Sequence, residues 1–321
     1  MHLSDIYKPV KEDLALLEDW LKSTSQANYP GLAEPLSYSL QGGGKRIRPA
    51  LTLLAGKLYN YNLDFLMPMA IAVELMHTAT LVHDDAIDKS AVRWGRPTIN
   101  NLWNEETAVL LGDYLFAKAG ESVSDTKNLR VIKFFSQTLE TISSGELNQA
   151  FSAYNIEQTR EQYFQRISCK TASLFSLATT SGAILGQAPE ESVQALKEYG
   201  HNLGIAFQIV DDILDFVGTE EEMGKPIGSD LAQGTITLPV MLLLERAADN
   251  EAVKGLFKNG DKEESIQQVI QLIHNSSIVE ECYGVVADYC SHARDNLKQL
   301  PDNPSRQALV NLTTFIARRK R

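Results

Sequence analysis

The chain has 321 residues, 44% of them hydrophobic, and a formal charge of −11, a balance with no basic stripe, which excludes nucleic acid as a partner. Cys169, Cys282 and Cys290 are odd in number and form no CxxC pair, so neither a disulfide framework nor a zinc site is implied, and a reducing cytoplasm is the natural setting. Charged residues from Asp5 to Asp13 stand where a signal peptide needs an apolar core, and no apolar run reaches membrane-spanning length, so no transmembrane segment is expected.

Taken in order, the periodicity predicts helix after helix. Val10–Ser23 carries a Leu14, Leu17, Leu21 stripe, and Leu32–Gln41 ends at Gly42, Gly43 and Gly44. Arg46–Tyr61, Leu66–Asp88, Glu105–Ser124, Leu129–Ser152, Glu161–Leu185 and Glu191–Phe216 follow. After an irregular stretch come Leu238–Ala248, Glu263–His274, Ile278–Leu300 and Ser305–Arg318. No alternating strand and no linker is evident. The expectation is one all-α domain over residues 1–321, a bundle around a central cavity.

Two of these helices end in the same acidic pattern. Asp84 and Asp88 fall at i and i+4, one turn apart on one face, with Asp85 roughly 100° round. Asp211, Asp212 and Asp215 repeat the arrangement, with Gln208 a turn earlier. Carboxylates at a helix C-terminus oppose its dipole. One such cluster reads equally well as a solvated helix end, but two, each closing an apolar helix, call for cations between them. Hard oxygen ligands suit Mg²⁺, whose remaining ligands are waters and phosphate oxygens.

The connections supply the cations for a phosphate-rich ligand. Gly42 to Gly44 lead into Lys45, Arg46 and Arg48 at a helix start, where backbone N–H groups and basic side chains converge on an anion. Arg93 and Arg96 lie just beyond the first acidic helix. Lys170 and Thr171 sit among apolar residues, and Lys225 stands in a glycine-bearing loop able to close over a ligand. His77 is two turns before Asp84 on the same face and points into the same cavity, whereas His83 and His201 read as structural. No Ser/His/Asp or Cys/His set appears, so covalent catalysis is not indicated.

GGGKRIRP, HDDAID with VRWGRPT, LLGDYLFAKA, KTASLF, FQIVDDILDF and GKPIGSDLAQGTITLP together resemble the successive motifs of the trans-isoprenyl (polyprenyl) diphosphate synthases, in family order from Gln41 to Pro239. The resemblance implies an isoprenoid-synthase-type all-α bundle of roughly ten core helices around a deep cavity, usually a homodimer. It also implies head-to-tail condensation of isopentenyl diphosphate with an allylic diphosphate. By that similarity Lys45, Arg48 and His77 bind isopentenyl diphosphate. Asp84, Asp88 and Asp211 ligate roughly three Mg²⁺ ions, supported by Asp85, Asp212 and Asp215. Arg93, Lys170 and Lys225 hold the allylic diphosphate, and Thr171 and Gln208 flank the developing cation.

There are two departures from the family pattern. Trp94 occupies the usual place of a second arginine that contributes to isopentenyl diphosphate binding, with Arg96 as its partial substitute, and Thr235 stands where many members carry lysine. A terpene cyclase shares the first acidic helix, but its second motif normally carries Asn, Ser or Thr, and Glu. A non-catalytic subunit of a two-component synthase should have lost acidic residues that this chain keeps.

Product length is read along the first acidic helix. Ala79 and Thr80, five and four residues before Asp84, are small where short-chain members of the family place an aromatic floor, and flexible Met76, then Val73 and Ala72, follow. About eleven residues of helix, roughly 16 Å, lie open. The expectation is a hexaprenyl to octaprenyl product, with geranylgeranyl as the alternative.

Overall fold

The structure, a computed structural model, describes residues 2–24, 30–152, 155–219, 226–246, 253, 255 and 262–319. The first half runs through α1 (Leu3–Ile6), a 3₁₀ turn, α2 (Lys11–Thr24), α3 (Pro30–Leu40), α4 (Ile47–Gly56), α5 (Leu63–Ile87), α6 (Ile99–Leu102), α7 (Glu105–Ser124) and α8 (Leu129–Ser152). Next come α9 (Arg160–Ile167), α10 (Ser173–Leu185), α11 (Glu190–Val217) and α12 (Ser229–Ala232). The last elements are α13 (Leu238–Arg246), α14 (Lys262–His274), α15 (Ile278–Asn296) and α16 (Pro304–Ala317). The all-α expectation holds, with one addition. Val92–Arg93 (β1) and Arg96–Pro97 (β2) pair antiparallel, the only strands among the described residues.

The two long helices that carry the acidic motifs form for legible reasons. Asn62 caps α5 by accepting from the Asp64 N–H, which satisfies one of the orphan donors of the first turn. α5 is apolar on nearly every face, and so belongs in the core between α4, α7 and α10. This corrects the expectation that no apolar run reaches spanning length: α5 is long and apolar enough to cross a membrane, because its few charges are Asp64 in the first turn, Glu74, and Asp84 and Asp85 near the C-terminus. Its most apolar window is 61% buried in protein, however, as befits a core helix. α11 begins with Glu190 and Glu191, the favourable sign at an N-terminus, and packs on α10 and α15.

The expected helix Glu161–Leu185 is not continuous. Thr159 and Gln162 form a capping box that starts α9, but Ser168–Ala172 is wound as a π-helical turn before α10 resumes. Such a bulge rotates the following side chains relative to a regular helix and is common at functional sites. The crossing with α11 depends on Gly204, where a methyl group would stand 2.5 Å from Ala172 Cα. That close approach brings Gln208, one turn later, against Thr171.

Candidate active site

Lys170, projected by the π turn, meets the end of α5. Its Nζ lies 3.2 Å from Asp84 Oδ2 and 2.8 Å from Glu146 Oε1 on α8. Burial disfavours the Lys170 ammonium, yet Asp84 and Glu146 outweigh it and hold the lysine charged beyond its ordinary range. The Glu146 carboxyl is pushed up by burial and by the charge of Asp84, in spite of Lys170. Arg93 Nε bonds Asp85 Oδ1 at 2.8 Å. Asp88 sits exposed at the helix end.

The second motif divides into three roles. Asp211 Oδ1 pairs with Arg319 Nη1 at 2.7 Å, and the same guanidinium lies 4.6 Å over the Phe207 ring. Asp215 accepts from Ser229 Oγ at 2.9 Å and from the Asp230 N–H at 3.2 Å, which ties α12 beneath α11. Asp212 is turned inward, accepting from Gln208 Nε2 at 2.8 Å and from the Tyr163 hydroxyl at 2.7 Å, while Thr171 Oγ1 donates to Gln208 Oε1 at 2.6 Å. Burial, with the charge of Asp230, pushes the Asp212 carboxyl up to about 7 against these donors.

At the glycine turn, Gly43 and Gly44 take φ of 76° and 156°, the region glycine enters freely. Lys45 is exposed, its carbonyl tied to the Tyr7 hydroxyl at 2.8 Å. Arg46 is not an anion-binding cation: it bonds Glu18 at 2.5 Å and Glu74 at 2.6 Å, a pairing between distant segments that no local pattern reveals. Arg48 is different. Its Nε is buried without a hydrogen-bond partner, its guanidinium lies 4.9 Å over Phe175, and burial lowers it to about 10 in spite of Glu74 and Asp211. Burial, then Arg48, Arg93 and Arg46, keeps His77 well below its ordinary value and so neutral.

The hairpin explains the fate of Trp94. It occupies the tight turn at φ 52°, 57% exposed. Arg96 instead lies across the Tyr38 ring at 4.2 Å, close enough to the glycine turn that a methyl group on Gly42 would stand 3.1 Å from its Nη1. Met76 and Ala79 are fully buried, and the Thr80 hydroxyl bonds the His77 carbonyl at 2.8 Å. Thr235, whose N–H bonds the Asp230 carbonyl at 2.9 Å, precedes α13. His83 bonds Val109 O and His201 bonds Ser168 Oγ, both as packing groups. Lys225 lies outside the described residues. Glu146, Tyr163 and Arg319 join the site without having been singled out. Only Arg319 stands in a distinctive sequence context, the basic run Arg318 to Arg321.

The site thus joins two acidic helix ends, each paired with a protein cation, to an arginine whose buried Nε has no hydrogen-bond partner. A family model described as polyprenyl synthetase matches residues 29–274. The chain belongs to that family. Heptaprenyl diphosphate synthase component 2 of Geobacillus stearothermophilus is 39% identical over 319 residues, covering 99% of each chain. The crystal structure of heptaprenyl diphosphate synthase from Staphylococcus aureus superposes with a TM-score of 0.93 at 34% identity, covering 100% of this chain and 99% of that one. A polyprenyl synthase from Caulobacter crescentus, solved with calcium and isoprenyl diphosphate, gives 0.95 at 30% identity, covering 100% and 98%. Like them, this polyprenyl synthetase is a prenyltransferase of the all-α isoprenoid synthase fold.

The donor set fits a hard divalent cation, since it is made of carboxylate oxygens alone. Among the described residues no three such groups already converge on one point. Lys170 and Arg319 show instead that Asp84 and Asp211 each draw a positive partner.

Proposed function

We propose that this polyprenyl synthetase joins isopentenyl diphosphate head to tail to an allylic diphosphate, giving an all-trans product of hexaprenyl to octaprenyl length. The observation that carries the reading is the pairing of Asp84 with Lys170 and Asp211 with Arg319 next to the partnerless Arg48 Nε: two cation-seeking helix ends beside an anion-seeking arginine.

Asp84, Asp88 and Asp211 would hold Mg²⁺, about three ions by the family pattern, and the metal would neutralise the departing allylic diphosphate. Lys170, Arg93 and Lys225 bind that diphosphate from the protein side. Lys45, Arg48 and neutral His77 hold isopentenyl diphosphate with its double bond at near-attack distance. Thr171 and Gln208 present oxygens beside the carbon that becomes positive, and Asp85, Asp212 and Asp215 hold the supporting side chains. No side chain is an evident base for the proton that leaves the carbon beside the new cation as its C–H pair becomes the product's double bond, so the released diphosphate takes it.

Length is supported by the buried small side chain of Ala79 above Met76 and by the heptaprenyl names of two relatives. A single domain is supported by one core running from Ile6 to Ile316. A homodimer is supported by apolar residues exposed on α6, α7 and α8, among them Leu102, Leu110 and Leu147. Incubation of purified protein with Mg²⁺, labelled isopentenyl diphosphate and farnesyl or geranylgeranyl diphosphate, with the products sized after dephosphorylation, tests the reading. Products of about thirty to forty carbons support it, at roughly five carbons per isoprene unit. Arrest at geranylgeranyl overturns the length, and no incorporation by this chain alone favours the two-component arrangement named for its Geobacillus relative.

A further inference from the structure

Asp212 directly follows Asp211, the residue assigned to the metal, yet its own oxygens bond only within the protein. It is 2% exposed, and both of its oxygens are taken by donors, Oδ1 by Gln208 Nε2 and Oδ2 by the Tyr163 hydroxyl. Both Asp212 oxygens act as acceptors in these bonds. Asp212 therefore claims the NH₂ end of the Gln208 amide, which turns Gln208 Oε1 to Thr171, and Thr171 spends its one proton on that oxygen. The Thr171 lone pairs and the second lone pair of Gln208 Oε1 remain, beside the Lys170 that pairs with Asp84.

Tyr163 stands at the far end of this series. It is fully buried on α9, its ring held edge-on to Phe164 at 5.2 Å and beneath Arg166 at 5.4 Å. Arg166 is itself anchored to the Ile236 carbonyl at 2.6 Å. The ring cannot follow Asp212 if the carboxylate turns, so the hydroxyl is a fixed donor.

We propose that Tyr163 is a positioning residue for prenyl transfer: by fixing Asp212, and through it the Gln208 amide, it turns the oxygens of Gln208 and Thr171 toward the reacting allylic carbon. The inference rests on the prenyl-transfer reading of the site. Without the hydroxyl, Oδ2 is a buried carboxylate oxygen lacking a donor, and Asp212 rotates to find one, taking the amide off Thr171. Tyr163 itself touches neither substrate. Its effect should fall on the chemical step, because binding both substrates depends on cations elsewhere.

Tyr163→Phe keeps the ring and removes one bond. The expected result is a fall in kcat of about tenfold, with KM for both diphosphates within about twofold and an unshifted thermal melt. In a Gln208→Ala background, where no amide remains to orient, the same change should cost less than about twofold further. Asp212→Asn, which replaces one of the two acceptor oxygens by an NH₂ donor so that the Gln208 and Tyr163 donors can no longer both be accepted, should reproduce the kcat-selective loss and serves if the phenylalanine variant folds poorly. Wild-type kcat in both Tyr163→Phe and Asp212→Asn, a loss confined to KM, or full additivity with Gln208→Ala overturns the proposal. Wild-type enzyme assayed alongside separates the cases: active wild type with a normal Tyr163→Phe variant sinks only the positioning role, whereas wild type inactive both alone and with a partner component sinks the prenyl-transfer reading as well.

Discussion

Arg319 Nη1 lies 2.7 Å from Asp211 Oδ1, with the arginine side chain only 10% exposed. A guanidinium that follows the last helix of the chain thus rests on a carboxylate assigned to a metal. The two cations compete for one oxygen set, because a ligand must displace whatever the free protein already holds there.

Arg319→Ala should therefore tighten Mg²⁺ binding to the substrate-free protein about fivefold, the equivalent of roughly 1 kcal/mol for a partly buried pair. Isothermal calorimetry with Mg²⁺ alone reads this. Unchanged or weaker binding would mean that Arg319 does not stand in the metal's place.

The proposed path of the growing tail makes a second prediction. Ala79 is fully buried on the core helix five residues before Asp84. Ala79→Phe should put a ring across the growing chain and stop elongation at about fifteen to twenty carbons, while overpacking costs about 1–3 kcal/mol of stability. An unchanged product ladder would show that the tail runs along another face.

Arg96, not Trp94, should carry the second arginine's contribution to isopentenyl diphosphate binding. Arg96 reaches the glycine turn, whereas Trp94 is pointed outward by the hairpin. Arg96→Ala should raise KM for isopentenyl diphosphate about tenfold with little change for the allylic substrate, as expected for one charge-assisted contact. Trp94→Ala should change it less than about twofold. The reverse ranking in steady-state kinetics would return the role to position 94.

His77 makes stability pH-dependent. Burial and three arginines hold its folded value well below the ordinary 6.5, so as pH falls through 6.5 the unfolded chain takes up a proton that the folded one refuses. The stability lost on that account is about 1.4 kcal/mol per pH unit until the folded group also titrates. Urea melts at pH 7.5 and 5.5 should show a smaller drop for His77→Gln than for wild type. Parallel drops would place His77 in an ordinary environment.

Much of this arrangement was legible from the chain. The ends of α5 and α11 declared themselves because apolar periodicity stopped at repeated carboxylates, and the glycine turn because three glycines preceded a basic helix start. The π turn at Ser168–Ala172 left no trace in the local pattern, and Gly204, which packs against it, lies on another helix. Tyr163 sits 49 residues from Asp212 in an unremarkable helical stretch. Arg46 looked like an anion ligand for the same reason that Arg48 does, and only the long-range carboxylates of Glu18 and Glu74 tell them apart. Local spacing fixes which residues share a helix face, but not which distant group that face will meet.

The central claim is that two acidic helix ends work as one metal-diphosphate site, and Asp84→Ala and Asp211→Ala test it together. Each removes a proposed ligand and relieves carboxylate crowding, so each should keep its thermal melt while Mg²⁺-dependent incorporation of labelled isopentenyl diphosphate falls by about three orders of magnitude. Near-normal incorporation in either folded variant would contradict the account.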